Sequence, residues 1–133
     1  MTVQIIYKNN KIKKNSSNIV FFVDEKFNIS VFKKHILKSD YNFVSDLLKT
    51  RDIKKEIIDF DISSKRKIIL VSLKKNISFS QVENLGAKFY DKFKELKNND
   101  FSINTEVIPN QFKNLVSYFA HGLRLKSYIL KDT

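Results

Sequence analysis

The chain has 133 residues, of which 42% are hydrophobic, enough for the core of one domain spanning residues 1–133 and against intrinsic disorder. Cysteine is absent, which excludes disulfides and thiolate metal sites. A formal net charge of +11, from 25 basic and 14 acidic residues, attracts polyanions through a salt-dependent field without defining a site.

Targeting signals are not evident in the chain. No apolar stretch approaches the roughly 20 residues needed to span a membrane. Met1–Gln4 do not begin with a basic segment followed by an apolar run, so we see no signal peptide. We therefore expect a soluble, cytoplasmic protein that does not bind membranes.

The N-terminal third predicts two strands and a polar loop. Val3–Tyr7 and Ile19–Val23 are apolar and rich in β-branched residues, which is typical of buried strands. The segment Lys8–Asn18 between them is polar and predicts either the tip of a hairpin or a loose loop. This loop contains a basic cluster formed by Lys11, Lys13 and Lys14.

The middle of the chain alternates less regular segments with clearer ones. Phe27–Ser39 fits either a short helix or an irregular packed segment. Asp40–Thr50 has apolar residues at helical spacing and predicts a helix. Glu56–Ile62 alternates in its second half, which predicts a strand with one solvent-facing side.

A strand followed by a helix forms the strongest signal in the sequence. Lys67–Leu73 is almost uniformly apolar, which predicts an internal strand buried on both faces. Ser80 and Glu83 have the spacing of a helix-capping box. The apolar stripe of an amphipathic helix follows, at Val82, Leu85, Phe89, Phe93 and Leu96.

The C-terminal part predicts one more strand and a last helix. Ser102–Ile108 predicts the strand, and Asn110 is a suitable N-cap for the helix. Gly122 lies inside this helix, and because glycine costs about 1 kcal/mol relative to alanine there, we expect a close contact at that position. The order of elements predicts an α/β domain with three layers, α/β/α, and a mixed, mostly parallel sheet.

Residues with metal-binding or phosphate-binding chemistry are sparse. His35 and His121 are far apart in sequence and outside any ligand-spaced cluster, so packing or surface positions are favoured over metal ligation. Gly86 and Gly122 both fall in helical patterns, whereas phosphate-binding loops need glycine. The turn Lys74–Ser78 lacks glycine, although its lysines could contact phosphate as point charges.

Two pairs of carboxylates are close enough in sequence to be weighed for catalysis. Asp24 and Glu25 are interpreted as the end of a strand. Asp59 and Asp61 are interpreted as neighbours on the solvent-facing side of another strand. Neither pair predicts a catalytic site.

The last helix carries a short motif. Ala120, Gly122, Leu125 and Tyr128 match Ala-Glu-Gly-x-x-Leu-x-x-Tyr-x-Phe, which members of the leucyl (cytosol) aminopeptidases commonly carry. The chain therefore resembles the N-terminal domain of that two-metal peptidase family. His121 stands where the family usually has Glu, and Leu130 where it has Phe.

The resemblance extends upstream of the motif. Arg66–Leu73 resembles the core strand of that domain, and Phe79–Leu96 resembles the helix that follows it. The family strand usually ends Gly-Leu-Gly, whereas this one ends Ser72-Leu73-Lys74. The implied architecture is macro-domain-like.

The resemblance implies a domain without a reaction centre. In the family, the catalytic residues and both metal ions belong to a C-terminal domain, whose Asn-Thr-Asp-Ala-Glu-Gly-Arg signature does not occur in this sequence. The chain is thus expected to be non-catalytic and free of cofactors. Two divalent metals, zinc or manganese, are implied only for the absent catalytic domain of a metal-dependent parent enzyme. Implied partners are that domain and further copies in a hexameric parent, with a role in assembly and in shaping access to the active sites.

Two alternatives remain open. A basic nucleic-acid-binding module would use the charge and two clusters, one being Lys11, Lys13 and Lys14 and the other Lys65, Arg66 and Lys67. Some members of the aminopeptidase family bind DNA, but no recognition helix or stacking-aromatic motif is evident in this chain. An ADP-ribose-type ligand domain rests on fold analogy alone and is disfavoured by the lack of loop glycines.

Overall fold

A computed structural model describes residues 4–8, 18–64, 66–96, 100–104, 108 and 110–131. The strands within them are β1 (Gln4–Lys8), β2 (Asn18–Asp24), β3 (Ile57–Asp61), β4 (Lys67–Leu73) and β5 (Asp100–Asn104). The α-helices are α1 (Lys38–Leu48), α2 (Phe79–Phe93) and α3 (Val116–Lys131). A 3-10 helix at Ser30–His35 precedes α1, and another at Asn110–Leu115 runs directly into α3.

The strands form a 5-stranded sheet in the order β1-β5-β2-β4-β3. All neighbouring strands are parallel except β3, which pairs antiparallel with β4 at one edge. The predicted α/β class with a mixed, mostly parallel sheet is confirmed. The predicted internal strand at Lys67–Leu73 is also confirmed, because β4 lies between β2 and β3 and Ile68–Val71 are fully buried.

Alternate residues of β2 and β4 point into two separate cores. Phe22 and Val71 belong to a core that includes α2 and α3. Phe21 and Leu70 belong to a second core on the opposite face of the sheet, which includes the 3-10 helix before α1. That face also carries α1, which buries a single residue, Val44. The three-layer, macro-domain-like arrangement stays a prediction.

The predicted elements differ from the structure mainly at their ends. The ambiguous segment Phe27–Ser39 contains the 3-10 helix at Ser30–His35, and α1 begins and ends two residues earlier than predicted. The helix predicted to start at Asn110 is a 3-10 helix at first and becomes α-helical only from Val116. The strand predicted at Ser102–Ile108 begins earlier, at Asp100. Val3, 105–107 and Pro109 lie outside the described residues.

The N-cap of α2 is Ser78, so the capping box predicted at Ser80 and Glu83 is wrong by two residues. The Ser78 Oγ accepts a hydrogen bond from the Gln81 backbone N–H at 3.2 Å. In return, the Gln81 Oε1 accepts one from the Ser78 N–H at 2.9 Å. Ser78 and Gln81 have the same capping-box spacing, with Gln in place of Glu.

The apolar stripe of α2 and the close contact at Gly122 are both confirmed. Val82, Leu85, Phe89 and Phe93 are buried, and the stripe continues just past the helix to the partly buried Leu96. Gly122 in α3 lies directly against the backbone of α2 at Glu83. The two helices therefore cover one face of the sheet as a closely packed pair.

Candidate binding surface at the carboxyl edge of the sheet

The loops after β2 and β4 lie at the same edge of the sheet, because these neighbouring strands are parallel. The chain leaves β2 toward the α1 face and leaves β4 toward the α2 face. Such divergence between adjacent parallel strands opens the crevice in which open α/β sheets bind ligands. We name Asp24–Asn28, Arg51–Glu56 and Lys74–Phe79 the carboxyl-edge surface.

Two cavities open at the carboxyl-edge surface. The larger has a volume of about 410 Å³ and lies between the ends of β2 and β4, with Lys75 and Phe112 in its wall. The smaller has a volume of about 310 Å³ and is lined by the loop before β3 and by Lys74. Glu25 borders both cavities, so they adjoin each other.

The turn after β2 is held in an unusual backbone conformation. Phe27 has a φ of 55°, in the left-handed region that a bulky side chain rarely adopts, and its ring is buried in the core of the α1 face. The Asp24 Oδ1 accepts hydrogen bonds from the N–H groups of Lys26 and Asn28, both at 3.1 Å. The Asp24 carboxylate therefore organises the turn, in agreement with its predicted position at the end of a strand.

The ends of β2, β3 and β4 are joined by further hydrogen bonds. The Ser72 N–H donates to the Glu56 carbonyl oxygen at 2.8 Å, and the Ser72 Oγ donates to the Asp24 carbonyl oxygen at 3.4 Å. The Glu56 carboxylate accepts a hydrogen bond from the Lys88 Nζ at 2.9 Å. Two of the acidic residues at this edge, Asp24 and Glu56, thus already have partners.

The lysines of the carboxyl-edge surface are exposed and lack acidic partners. Within the part of the chain that the structure describes, no ion pair involves Lys26, Lys54, Lys55, Lys74 or Lys75. Elsewhere, ion pairs are formed by Lys49, Lys67, Lys88, Lys92 and Lys94. The charge at this edge therefore remains accessible to an anion.

An exposed pair of aromatic rings lies at the start of α2. Phe79 stacks on Tyr118 of α3, with the ring centroids 4.3 Å apart and the planes at 7°. Phe79 is the first residue of α2 and remains 54% exposed. Sequence patterns do not identify this pair, because its two members are far apart in the chain. Because Phe79 lies three residues before Val82, its spacing places it on the apolar stripe of α2, so the sequence gives no signal that its ring stays exposed.

Of the residues predicted to contact polyanions, the structure describes Arg66 and Lys67. Lys11, Lys13, Lys14 and Lys65 lie outside the described residues. The Arg66 Nη1 lies 3.7 Å from the Asp40 Oδ2. Lys67 also has carboxylate partners. Contact of Arg66 and Lys67 with a polyanion stays a prediction, and the ion pairs of these two residues do not favour it.

Lys67 joins the two aspartates of β3, which lie on one face of that strand as predicted. Its Nζ donates hydrogen bonds to the Asp59 Oδ2 at 2.8 Å and to the Asp61 Oδ1 at 2.6 Å. Burial alone would raise the pKa of Asp59, but the hydrogen bond and charge of Lys67, aided by Lys92, hold the pKa below its ordinary value. For Lys67 the directions are reversed: burial alone would lower its pKa, but the hydrogen bonds and charges of Asp59 and Asp61 raise it above its ordinary value.

The positions of the aminopeptidase-like motif fall on α3. Gly122 is buried where α3 contacts α2, Ala120 is buried two residues earlier, and Leu125 and Tyr128 lie further along the same helix. His121 between them is exposed, and His35 is partly buried at the end of its 3-10 helix. One position of the motif, Gly122, therefore lies at a contact between helices.

The described residues contain neither a cluster of metal ligands nor a membrane-spanning helix. Among them, no three His, Asp or Glu side chains lie close enough together to hold a metal ion. Of the helices that the structure describes, none has both the length and the apolar character of a membrane span. Comparison of the chain with protein-family models, with curated proteins and with solved structures found no match.

Proposed function

We propose that this chain is a non-catalytic domain that acts with the catalytic domain of a leucyl aminopeptidase in the cytoplasm. Its role would be to support oligomer assembly and to shape access to the active sites. The observation that carries the proposal is the position of Gly122 of the motif, which is buried where α3 contacts the backbone of α2 at Glu83. A motif that keeps two helices in contact is what a structural domain requires.

The proposal assigns no chemical step to this chain. The two divalent metals belong to the catalytic domain of the parent enzyme, in a complex that would be a hexamer. What this chain contributes is a rigid body whose internal strand β4 and helix pair are fixed by packing. Its outer surface would make the contacts with the catalytic domain and with further copies.

Reconstitution with a catalytic domain tests this function. The chain is co-expressed with a leucyl aminopeptidase catalytic domain lacking its own N-terminal domain. We expect co-elution as an oligomer by light scattering and a changed KM for a leucyl anilide substrate, with no hydrolysis by the chain alone. Independent elution with unchanged kinetics, or hydrolysis by the chain alone with zinc or manganese, would contradict the proposal.

Two matched substitutions locate the contact in the same experiment. Phe43 on α1 and Phe79 on α2 are similarly exposed, at 44% and 54%. Phe43→Ser and Phe79→Ser remove similar apolar area from two different parts of the surface. Loss of co-elution with one variant and not the other would identify which surface faces the catalytic domain.

Nucleic-acid binding is a second candidate, favoured by the lysines of the carboxyl-edge surface that lack acidic partners. Binding that neutralises phosphates weakens steeply as salt increases. We expect a fluorescein-labelled oligonucleotide to bind in 50 mM salt and to be largely released in 300 mM salt. Absence of binding at both salt concentrations would eliminate this candidate.

A further inference from the structure

We propose that the carboxyl-edge surface binds single-stranded nucleic acid, with one base stacked on Phe79 and adjacent phosphates on Lys74 and Lys75. The inference rests on the second candidate function and deepens it, because it names the strandedness of the ligand and the residues that contact it. The residues assigned to this site differ from the clusters predicted from the sequence, at Lys11, Lys13 and Lys14 and at Lys65–Lys67.

The aromatic pair provides a preorganised surface for a base. Tyr118 covers one face of the Phe79 ring at a centroid distance of 4.3 Å, while 54% of Phe79 stays exposed. The outer ring face is therefore accessible and its orientation is fixed by the ring behind it. Every nucleobase has an apolar face that stacks on such a ring irrespective of sequence.

The basic residues lie four and five positions before Phe79 in the chain, in a defined turn. The Ile77 N–H donates to the Lys74 carbonyl oxygen at 3.2 Å, which closes the turn that leads into α2. Lys74 and Lys75 at the start of this turn are exposed, and no described residue forms an ion pair with either. Lys75 also borders the larger cavity, beside Asn76. Positive charge and an open ring face thus occur within one short segment.

The combination favours a single strand over a duplex. In a duplex, both faces of each base are covered by neighbouring bases, so only the phosphates could engage the lysines. A single strand can place a base on Phe79 and its phosphates on the turn at the same time. An acidic protein segment would satisfy the lysines but would match the ring only if it also carried an aromatic side chain at the required spacing.

Fluorescence anisotropy with a 15-nucleotide dT oligomer, a 15-nucleotide U oligomer and a 15-bp duplex tests the proposal. Phe79→Ala should weaken binding of the single strands by about tenfold, as expected for loss of one stacked base. Phe43→Ala, the matched control on α1, should change it less than twofold. The dT and U arms show whether the site distinguishes DNA from RNA.

The salt dependence tests the lysines separately. Each phosphate contact on a single strand contributes about 0.7 to the slope of log K against log salt, so Lys74→Gln with Lys75→Gln should reduce that slope by about 1.4. Lys34→Gln with Lys38→Gln removes the same charge from the 3-10 helix and the start of α1. This control should leave the slope nearly unchanged.

A tryptophan probe gives a readout that does not depend on affinity. The chain contains 0 Trp, so Phe79→Trp places a single indole at the proposed stacking position. We expect the oligonucleotide to quench the emission of this variant and to leave that of Phe43→Trp unchanged.

The outcomes separate the inference from the function on which it rests. Equal affinities for Phe79→Ala and Phe43→Ala, equal binding of duplex and single strand, or unquenched emission from the Phe79→Trp variant would overturn the stacking proposal. Salt-sensitive binding would then still support the second candidate function. Wild-type protein that binds none of the three probes would overturn both.

Discussion

Gly86 of α2 and Gly122 of α3 lie at reciprocal positions where the two helices meet. A Cβ atom on Gly86 would lie 2.8 Å from the Leu123 backbone nitrogen and closer still to the Phe119 carbonyl oxygen. A Cβ atom on Gly122 would lie 2.7 Å from the Glu83 Cα and nearer to its carbonyl oxygen. Each glycine thus allows its helix to contact the backbone of the other.

Gly122→Ala is therefore expected to destabilise the protein. Helix propensity alone would stabilise it by about 1 kcal/mol. The new methyl group, however, collides with backbone atoms that cannot move independently, and overpacking of this kind costs about 1–3 kcal/mol or more. Because the second effect is the larger, the midpoint of urea unfolding should fall. Gly86→Ala should behave in the same way.

An exposed position on α2 provides the control for this prediction. Asn84→Ala also improves helix propensity but meets no packed backbone, since Asn84 is exposed. It should stabilise the protein slightly, by about 0.5 kcal/mol. Similar stabilisation by Gly122→Ala would show that the two helices are not in backbone contact.

The N-cap of α2 can be tested with two serines that lie two residues apart. Ser78→Ala removes the acceptor for the Gln81 N–H and should cost about 1 kcal/mol in urea unfolding. Ser80→Ala removes only the contact of its Oγ with the Ser78 Oγ at 3.2 Å and should cost less than about 0.5 kcal/mol. The reverse order of the two effects would place the cap at Ser80.

Information already in the sequence could have selected the correct cap. In a hydrophobic staple, the residue before the N-cap packs with the fourth residue of the helix. With Ser78 as the cap these are Ile77 and Val82, which pack in the same core. With Ser80 as the cap they would be Phe79 and Asn84, of which Phe79 is exposed and Asn84 is polar. The capping-box spacing alone could not separate the two alternatives.

Local patterns predicted the elements but not their arrangement. The burial of Ile68–Leu73 on both faces of the sheet and the α2 stripe depend on residues close in sequence, and both predictions are confirmed. The insertion of β5 between β1 and β2 depends on crossover connections, which leave no periodic signal in any one segment. The Phe79–Tyr118 stack depends on that arrangement in turn, so no local pattern could indicate it directly.

The ion pairs of Lys67 on β4 with Asp59 and Asp61 on β3 should make the stability of the protein depend on pH in the acid range. The pKa of Asp59 is lowered in the folded state, so its stabilising contribution is present above the aspartate pKa of about 3.9 in the unfolded chain. This contribution is lost as the pH falls through the lower folded-state pKa. The pKa of Lys67 is raised, so its contribution is present below about pH 10.4 and is lost only at higher pH.

Lys67→Met tests this assignment. The substitution leaves Asp59 half-buried without its principal partner and should cost about 2 kcal/mol at pH 7, between the values for exposed and buried pairs. The difference from wild type should shrink as the pH falls toward and below the aspartate pKa of about 3.9, because Asp59 becomes protonated first in the variant and, below its lowered folded-state pKa, in wild type as well. Lys88→Met breaks the exposed pair with Glu56 and should cost less than about 1 kcal/mol. A constant difference across this pH range would contradict the role given to Asp59.

The last prediction concerns the turn after β2. It asks whether the Asp24 carboxylate stabilises this turn through its oxygen as a hydrogen-bond acceptor or through its negative charge. The Asp24 Oδ1 accepts two backbone hydrogen bonds that hold Phe27 in its left-handed conformation. Asp24→Asn keeps an oxygen at this position and should leave the free energy of unfolding within about 0.5 kcal/mol of wild type. Asp24→Ala removes this acceptor and with it both hydrogen bonds, and should cost about 1–2 kcal/mol, because each hydrogen bond contributes about 1 kcal/mol. If the two variants were equally destabilised, the negative charge of Asp24, and not its oxygen as an acceptor, would be what the turn requires.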